Sequence, residues 1–135
     1  MHLDEHMASA FNQRIGRGMG FVAISSNDVV NYPQDHPNRL KEQALQRGFQ
    51  FPYLYDEDQT VAKAFGAVCT PDFFMYNKDG ILVYRGRYDG SNHKNDEDLD
   101  GQDLLNAIDA HLENKVIDVN QLPSAGCSIK WKNNL

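Results

Sequence analysis

Residues 67–86 constrain the fold more than any other stretch of the chain. Ala67-Val68-Cys69-Thr70-Pro71-Asp72-Phe73-Phe74-Met75-Tyr76 is followed by Asn77-Lys78-Asp79-Gly80 and then by Ile81-Leu82-Val83-Tyr84-Arg85-Gly86. Two apolar runs of strand length flank a four-residue loop ending in Asp-Gly, and both loop residues tolerate the positive φ that a tight reversal needs. Pro71 opens the first run, where a strand can spare its N–H donor. The stretch predicts an antiparallel hairpin entered through Thr70-Pro71.

The rest of the chain reads as alternating helices and short strands. Leu3, Met7, Phe11 and Ile15 recur every four positions and predict a helix over residues 2–15, stopped by Gly16. Phe21-Val22-Ala23-Ile24-Ser25 is a continuous apolar run, as a buried parallel strand requires. Pro37 suits the first turn of a helix to Arg47, with Leu40, Ala44 and Leu45 inward and Gly48 as the stop. Phe49–Tyr55 is extended, and Pro52 keeps it at an edge. Asp58 is expected to cap a helix carrying Val61, Ala64 and Phe65, closed by Gly66. Leu104, Leu105, Ile108 and Leu112 predict a last helix ending near Asn114. Past Leu122-Pro123, residues Cys127, Ile129 and Trp131 alternate with Ser128, Lys130 and Lys132, a strand-like period of two.

Bulk properties exclude several classes of function. At 135 residues with 41% hydrophobic and 24% charged side chains, the chain can bury one core: residues 1–115 as the domain, with 116–135 as a tail packed on it. A net charge of −6 argues against nucleic acid and against anionic membranes, both of which need a basic face. No run approaches the roughly 20 apolar residues of a membrane span, and the N-terminus lacks a signal-peptide pattern, so a cytoplasmic location is expected. Two cysteines are too few for a disulfide framework.

Three motif fragments fail on context. Gly16-x-Gly18-x-Gly20 follows a helix and precedes a strand, the reverse of a phosphate-binding loop. His2 and His6 are one helical turn apart, a metal-ligand spacing, yet no third ligand accompanies them. Asp96-Glu97-Asp98-Leu99-Asp100-Gly101 opens like a calcium loop, but its twelfth position is Ala107, where a bidentate Glu is required. These acids read as charges at a helix start. No metal and no cofactor is expected. Arg85 and Arg87 share one side of a strand and could guide an anion; edge charges that suppress aggregation are the commoner use. Tyr53, Tyr55, Phe73 and Phe74 read as core aromatics.

Cys69-Thr70-Pro71-Asp72-Phe73-Phe74, with Phe51-Pro52-Tyr53-Leu54-Tyr55-Asp56 before it and Gly126-Cys127-Ser128-Ile129-Lys130-Trp131-Lys132 after it, resembles the thioredoxin-like redoxins of the alkyl hydroperoxide reductase/thiol-specific antioxidant superfamily. The resemblance covers nearly the whole chain. It implies an α/β protein with a thioredoxin-like, three-layer α/β/α fold and a mixed sheet, and a cis Thr70–Pro71 bond facing the redox cysteine. It implies a thiol-disulfide oxidoreductase or peroxiredoxin-like antioxidant acting on protein thiols, disulfides or peroxide.

The chain departs from that family at its start. Met1 lies already inside the first helix, so the first central strand and its redox-cysteine turn are absent from this sequence, as in a truncated product. Little or no disulfide reductase turnover is therefore expected. Three repairs of the gap are conceivable: the flanking strands pair directly, the tail around 127–131 inserts, or a second chain supplies an edge; the last is favoured, and a homo-oligomer through exposed sheet edges is expected. The thiols left are Cys69, two residues before Pro71, and Cys127, a candidate resolving thiol; for each, an inert cysteine is the commoner reading. Thr70 and Pro71 would line the substrate groove. The alternative reading is a non-catalytic module that grips extended peptides in the groove beside Pro71.

Overall fold

The structure, a computed structural model, describes residues 3–92 and 94–132. Helix α1 (Leu3–Ile15) ends in a turn where Gly18 adopts φ 98° and its N–H donates to Ile15 O. Strand β1 (Ala23–Ser25) follows, then a 3-10 turn (Pro33–Asp35) and α2 (Pro37–Arg47). His36 Nδ1 accepts from Asn38 N–H at the start of α2, and Gly48 closes it in the left-handed region at φ 71°. Next come β2 (Tyr53–Tyr55), α3 (Thr60–Phe65), β3 (Cys69–Thr70), β4 (Phe73–Tyr76), β5 (Leu82–Gly86), α4 (Gln102–Leu112) and β6 (Cys127–Ser128). His2 lies outside the described residues, so its pairing with His6 has no structural counterpart to report.

The strands form three two-stranded ladders. β1 pairs in parallel with β2, Ala23 opposite Tyr53. β4 and β5 make the antiparallel hairpin, Phe73 opposite Gly86 and Met75 opposite Tyr84. β3 pairs antiparallel with β6. Beneath the first two ladders lies one core. Ala10 and Phe11 of α1, and Leu104, Leu105, Ala107 and Ile108 of α4, meet Phe51, Met75, Tyr84 and Tyr88. Phe11 stacks on Phe21 at 4.4 Å and meets Tyr88 edge-on at 6.1 Å, so a single ring touches the neighbourhood of both ladders. Burying Ile108 and Phe11 is worth about 1.5–3 kcal/mol each. Arg14 clamps α1 to α4 through a two-pronged contact with Asp109, both bonds 2.9 Å.

Two helix faces differ from the sequence reading. In α2, Leu40 is buried, but Leu45 is 75% exposed beside a cleft between α2 and β2. In α3 the buried residue is Ala62, while Val61 and Phe65 keep 36% and 40% of their surface exposed, Phe65 meeting the Phe74 ring edge-on at 5.2 Å. Asp58 contacts only Thr60 N–H and Oγ1. The α3 amides of Val61 and Ala62 instead reach the buried Asp56 carboxylate, at 3.2 and 2.9 Å. Gln59, at φ 64°, turns the chain so that Asp56 sits under the helix start. The last helix begins at Gln102, so Asp96, Glu97, Asp98 and Asp100 stand in the loop before it, with Asp103 alone in its first turn. Among the described residues no helix is long and apolar enough to cross a membrane.

Candidate functional site

The two thiols sit in one short ladder. In the β3–β6 register Cys69 faces Ser128 and Thr70 faces Cys127. Directly opposed residues project to the same side of an antiparallel pair, and successive residues project to opposite sides. Cys69 and Cys127 are therefore adjacent along the ladder but on opposite faces. Cys69 is buried and Cys127 exposed, and both are free thiols. The Thr70–Pro71 peptide is cis. Both residues are exposed, on the strand edge that carries Cys127.

The tail reaches this place through Gly126. A Cβ there would stand 2.0 Å from Thr70 O and 2.8 Å from Thr70 C, so only glycine permits the approach. Beyond Cys127 the tail stays extended. Ile129 N–H donates to Val68 O at 3.1 Å, and Ile129 is 5% exposed. Lys130 O accepts from Asp28 N–H at 2.7 Å, and Lys130 N–H donates to Asn27 Oδ1 at 2.8 Å. Gln59, 2% exposed, completes the anchorage. Its Nε2 donates to Ser26 O and Lys130 O, and its Oε1 accepts from Lys132 N–H. Sequence reasoning missed Gln59 and Asp56, because Asp56-Glu57-Asp58-Gln59 looks like an ordinary solvated turn.

The tail thus flanks Pro71 on the β3 side, and ahead of β6 it also meets Asp72, which accepts from Ser124 Oγ at 2.9 Å; that hydroxyl donates to Gly86 O at 2.8 Å. Of the two arginines, Arg85 stays close, its Nη2 3.9 Å from Asp72 Oδ2. Arg85 lies over the Phe74 ring at 4.9 Å and donates to Gly66 O. Arg87 donates to Asp103 at 2.6 Å, a contact that raises its pKa further. Arg87 is therefore committed to Asp103, and Arg85 is shared between Gly66 O, the Phe74 ring and Asp72.

Other titratable groups near the core serve the scaffold. Burial, reinforced by Asp103, pushes the Tyr84 phenol up to about 12, and its hydroxyl donates to Arg87 O. His6 Nδ1 and the Tyr88 hydroxyl lie 2.5 Å apart, so His6 is engaged within the core edge. Burial alone would raise Asp89, but Ser91 and the amides of Gly101, Ser91 and Asp100 hold it below the usual carboxylate range. The loop that resembles half a calcium site is wrapped around Asp89 instead. Among the described residues no three His, Cys, Asp or Glu side chains cluster to hold a metal. A cleft of 610 Å³ between α2 and β2, lined by Leu40, Ala44, Phe49 and Tyr53 among others, lies away from both thiols.

Residues 5–85 match the AhpC/TSA family. The chain belongs to that family. It is a redoxin of the thioredoxin-like superfamily, whose members carry thiol redox chemistry on an α/β fold. Two solved structures resemble it closely. A hypothetical protein of Sinorhizobium meliloti 1021 is 42% identical, with a TM-score of 0.94 over 98% of this chain and 72% of its own. An uncharacterized conserved protein of Geobacillus kaustophilus is 44% identical, with the same TM-score over 99% of this chain and 71% of its own. No curated protein matches the chain.

Proposed function

We propose that this redoxin acts through Cys127, the exposed thiol beside Thr70–Pro71, on hydroperoxides or protein disulfides. The observation that carries the reading is the pairing of exposed Cys127 with Thr70 in a member of the AhpC/TSA family. With a hydroperoxide, the Cys127 thiolate attacks the terminal oxygen. An S–O bond forms and the O–O bond breaks. Cys127 is oxidised to sulfenic acid, and the leaving alkoxide or hydroxide takes a proton from solvent. A second thiol, from a protein or a small molecule, then displaces water to give a mixed disulfide, and a further thiol restores Cys127. Among the described residues no side chain hydrogen-bonds the Cys127 sulfur, so the proposed chemistry draws its thiolate from solvent exposure alone.

Cys69 has the weaker claim, since it is buried under the tail and faces the other way. The peptide-binding alternative meets a groove whose backbone edge at Cys69–Thr70 is already paired with Cys127–Ser128. A sulfenic-acid trap after a stoichiometric pulse of peroxide tests the proposal. Wild type and Cys69→Ser should be labelled and Cys127→Ser should not. Equal labelling of Cys127→Ser would overturn the assignment, and so would an absence of label on all three.

A further inference from the structure

The chain covers the outer edge of β5 with its own tail and leaves the outer edge of β2 bare. Along β5, Arg85 N–H donates to Gln121 Oε1, Arg87 N–H donates to Leu122 O, and Gln121 Nε2 donates to Val83 O, each at 3.0 Å. Residues 121 and 122 thus occupy the side of β5 away from β4. Among the described residues β2 pairs with β1 alone, and nothing bonds to its other side.

The ladder decides which groups of β2 point outward. Ala23 N–H donates to Pro52 O at 2.9 Å and Asp56 N–H donates to Ser25 O at 2.8 Å, so residues 52 and 56 turn their backbone groups toward β1. Backbone direction alternates along a strand, so Leu54 shares that side, and the N–H and C=O of Tyr53 and Tyr55 face away from β1. Pro52 lacks its N–H on the β1 side and therefore does not blunt the outer edge. Tyr-Leu-Tyr carries no charge either, the other common guard of an edge strand.

Helix α2 gives this edge a floor. The 610 Å³ cleft between α2 and β2 falls within the size range of ligand sites, roughly 300–1,000 Å³. Tyr53, Leu54 and Tyr55 all line it, although their side chains alternate between two faces, so the cleft runs along the edge of the strand. Phe49 and the exposed Leu45 make it apolar. Lys41 is the one charged side chain in its lining, on a chain of net charge −6. No carboxylate lines the cleft, and among the described residues Lys41 forms no ion pair.

We propose that the outer edge of β2, floored by α2, docks an extended peptide that carries apolar and acidic side chains on one face. The backbone groups of Tyr53 and Tyr55 pair with it as with an added strand. An apolar side chain on its inner face enters the cleft against Leu45 and Phe49, and a carboxylate on the same face meets Lys41. The edge at Cys69–Thr70 is already paired with the tail, so peptide recognition and thiol chemistry fall at different places.

The probe is the peptide Ac-Thr-Leu-Thr-Leu-Thr-Glu-NH2, with forms in which both leucines are replaced by valine, isoleucine or phenylalanine, titrated into the 135-residue protein. At least one form should bind saturably and slow amide exchange at Tyr53 and Tyr55 by about tenfold or more. N-methylation of alternate peptide amides, which prevents a complete ladder, should weaken binding by about tenfold or more. Lys41→Gln should weaken it about two- to fivefold, and a peptide ending in glutamine should not distinguish that variant from wild type. Leu45→Glu, at an exposed position, should abolish binding with the unfolding curve unchanged. Four results would overturn the proposal: no form slows exchange at the two tyrosines, the N-methylated peptide binds as well, both variants bind as wild type does, or both amides are already protected in the free protein. The last result, with sedimentation as a dimer, would make a second copy the occupant. Sulfenic-acid trapping at Cys127 reads a separate site, so either proposal can fail alone.

Discussion

Gly126→Ala tests how closely the tail is held to the thiol ladder. The added Cβ would lie 2.0 Å from Thr70 O and 2.8 Å from Thr70 C, and both are backbone atoms that no rotamer change can move. The tail must therefore retreat. If the retreat stays local, the short β3–β6 ladder is lost, at about 0.5–1.5 kcal/mol net per hydrogen bond. If it propagates, Ile129 leaves its buried site, adding about 1.5–3 kcal/mol. The bonds from Asp28 to Lys130 and from Lys130 to Asn27 go with it. Partial relaxation between these two limits places the variant at a loss of about 2–4 kcal/mol. At this chain length that corresponds to a fall in Tm of roughly 8–16 °C. The assay pairs thermal unfolding with counting of fast-reacting thiols. Wild type should show one fast thiol, Cys127, and Gly126→Ala should show two as Cys69 is uncovered. Ala125→Ser, one residue away and exposed, serves as the control and should change stability by less than about 0.5 kcal/mol. If Gly126→Ala unfolded within a degree or two of wild type and kept Cys69 slow to react, the close approach would be refuted.

Asp89→Ala should destabilise the protein by about 2–4 kcal/mol, because the Ser91, Asp100 and Gly101 amides would lose their shared acceptor beneath a largely closed surface; an unchanged Tm would show that the loop does not depend on it. Acid should destabilise through Asp4, Asp89 and Asp109. Asp109 is held low first by the Arg14 hydrogen bond; in Asp4 the Gln43 bond and the Arg47 charge outweigh burial. Their folded pKa values lie below the ordinary 3.8, so the stability they contribute is complete above that value and is lost as pH falls through the folded midpoints. The expected result is a Tm level above about pH 5 that falls below about pH 4, with carboxyl NMR midpoints under 3.8 for all three; midpoints at or above 3.8 would refute it.

What was legible in the sequence was whatever a local rule could carry. The Asp79-Gly80 turn announces the β4–β5 hairpin, because positive φ at Gly80 is a local demand. The four-residue spacing of apolar side chains announces α1 and α4, whose stripes meet a large core. It fails in α2 and α3, where Leu45 stands exposed beside the α2–β2 cleft and Phe65 meets Phe74 and Tyr76 of β4 yet stays 40% exposed. The residues that hold the tail escaped notice for a different reason. Gln59 contacts Ser26, Lys130 and Lys132, partners 33, 71 and 73 positions away. No window of neighbours encodes such a contact, and a glutamine in a polar turn is otherwise unremarked. The thiols were visible as residue types. Their separation onto opposite faces depends on the β3–β6 register, and a shift of one residue would reverse it.

That register also limits what redox chemistry these residues can do. An intramolecular Cys69–Cys127 disulfide would need both sulfurs on one side of the ladder, so β6 would have to unpair and Gly126 would have to leave Thr70. The tail that would be released is the same segment that bonds residues just past β1 and just ahead of β3. Cys127 can react as a single thiol without disturbing any of this, since its side chain faces solvent and its backbone stays paired. Intramolecular oxidation would cost the ladder, Ile129's burial and the link between the two halves of the sheet together. The proposed chemistry, in which Cys127 cycles through sulfenic acid or mixed disulfides with an external thiol, therefore asks no movement of the tail that covers Cys69.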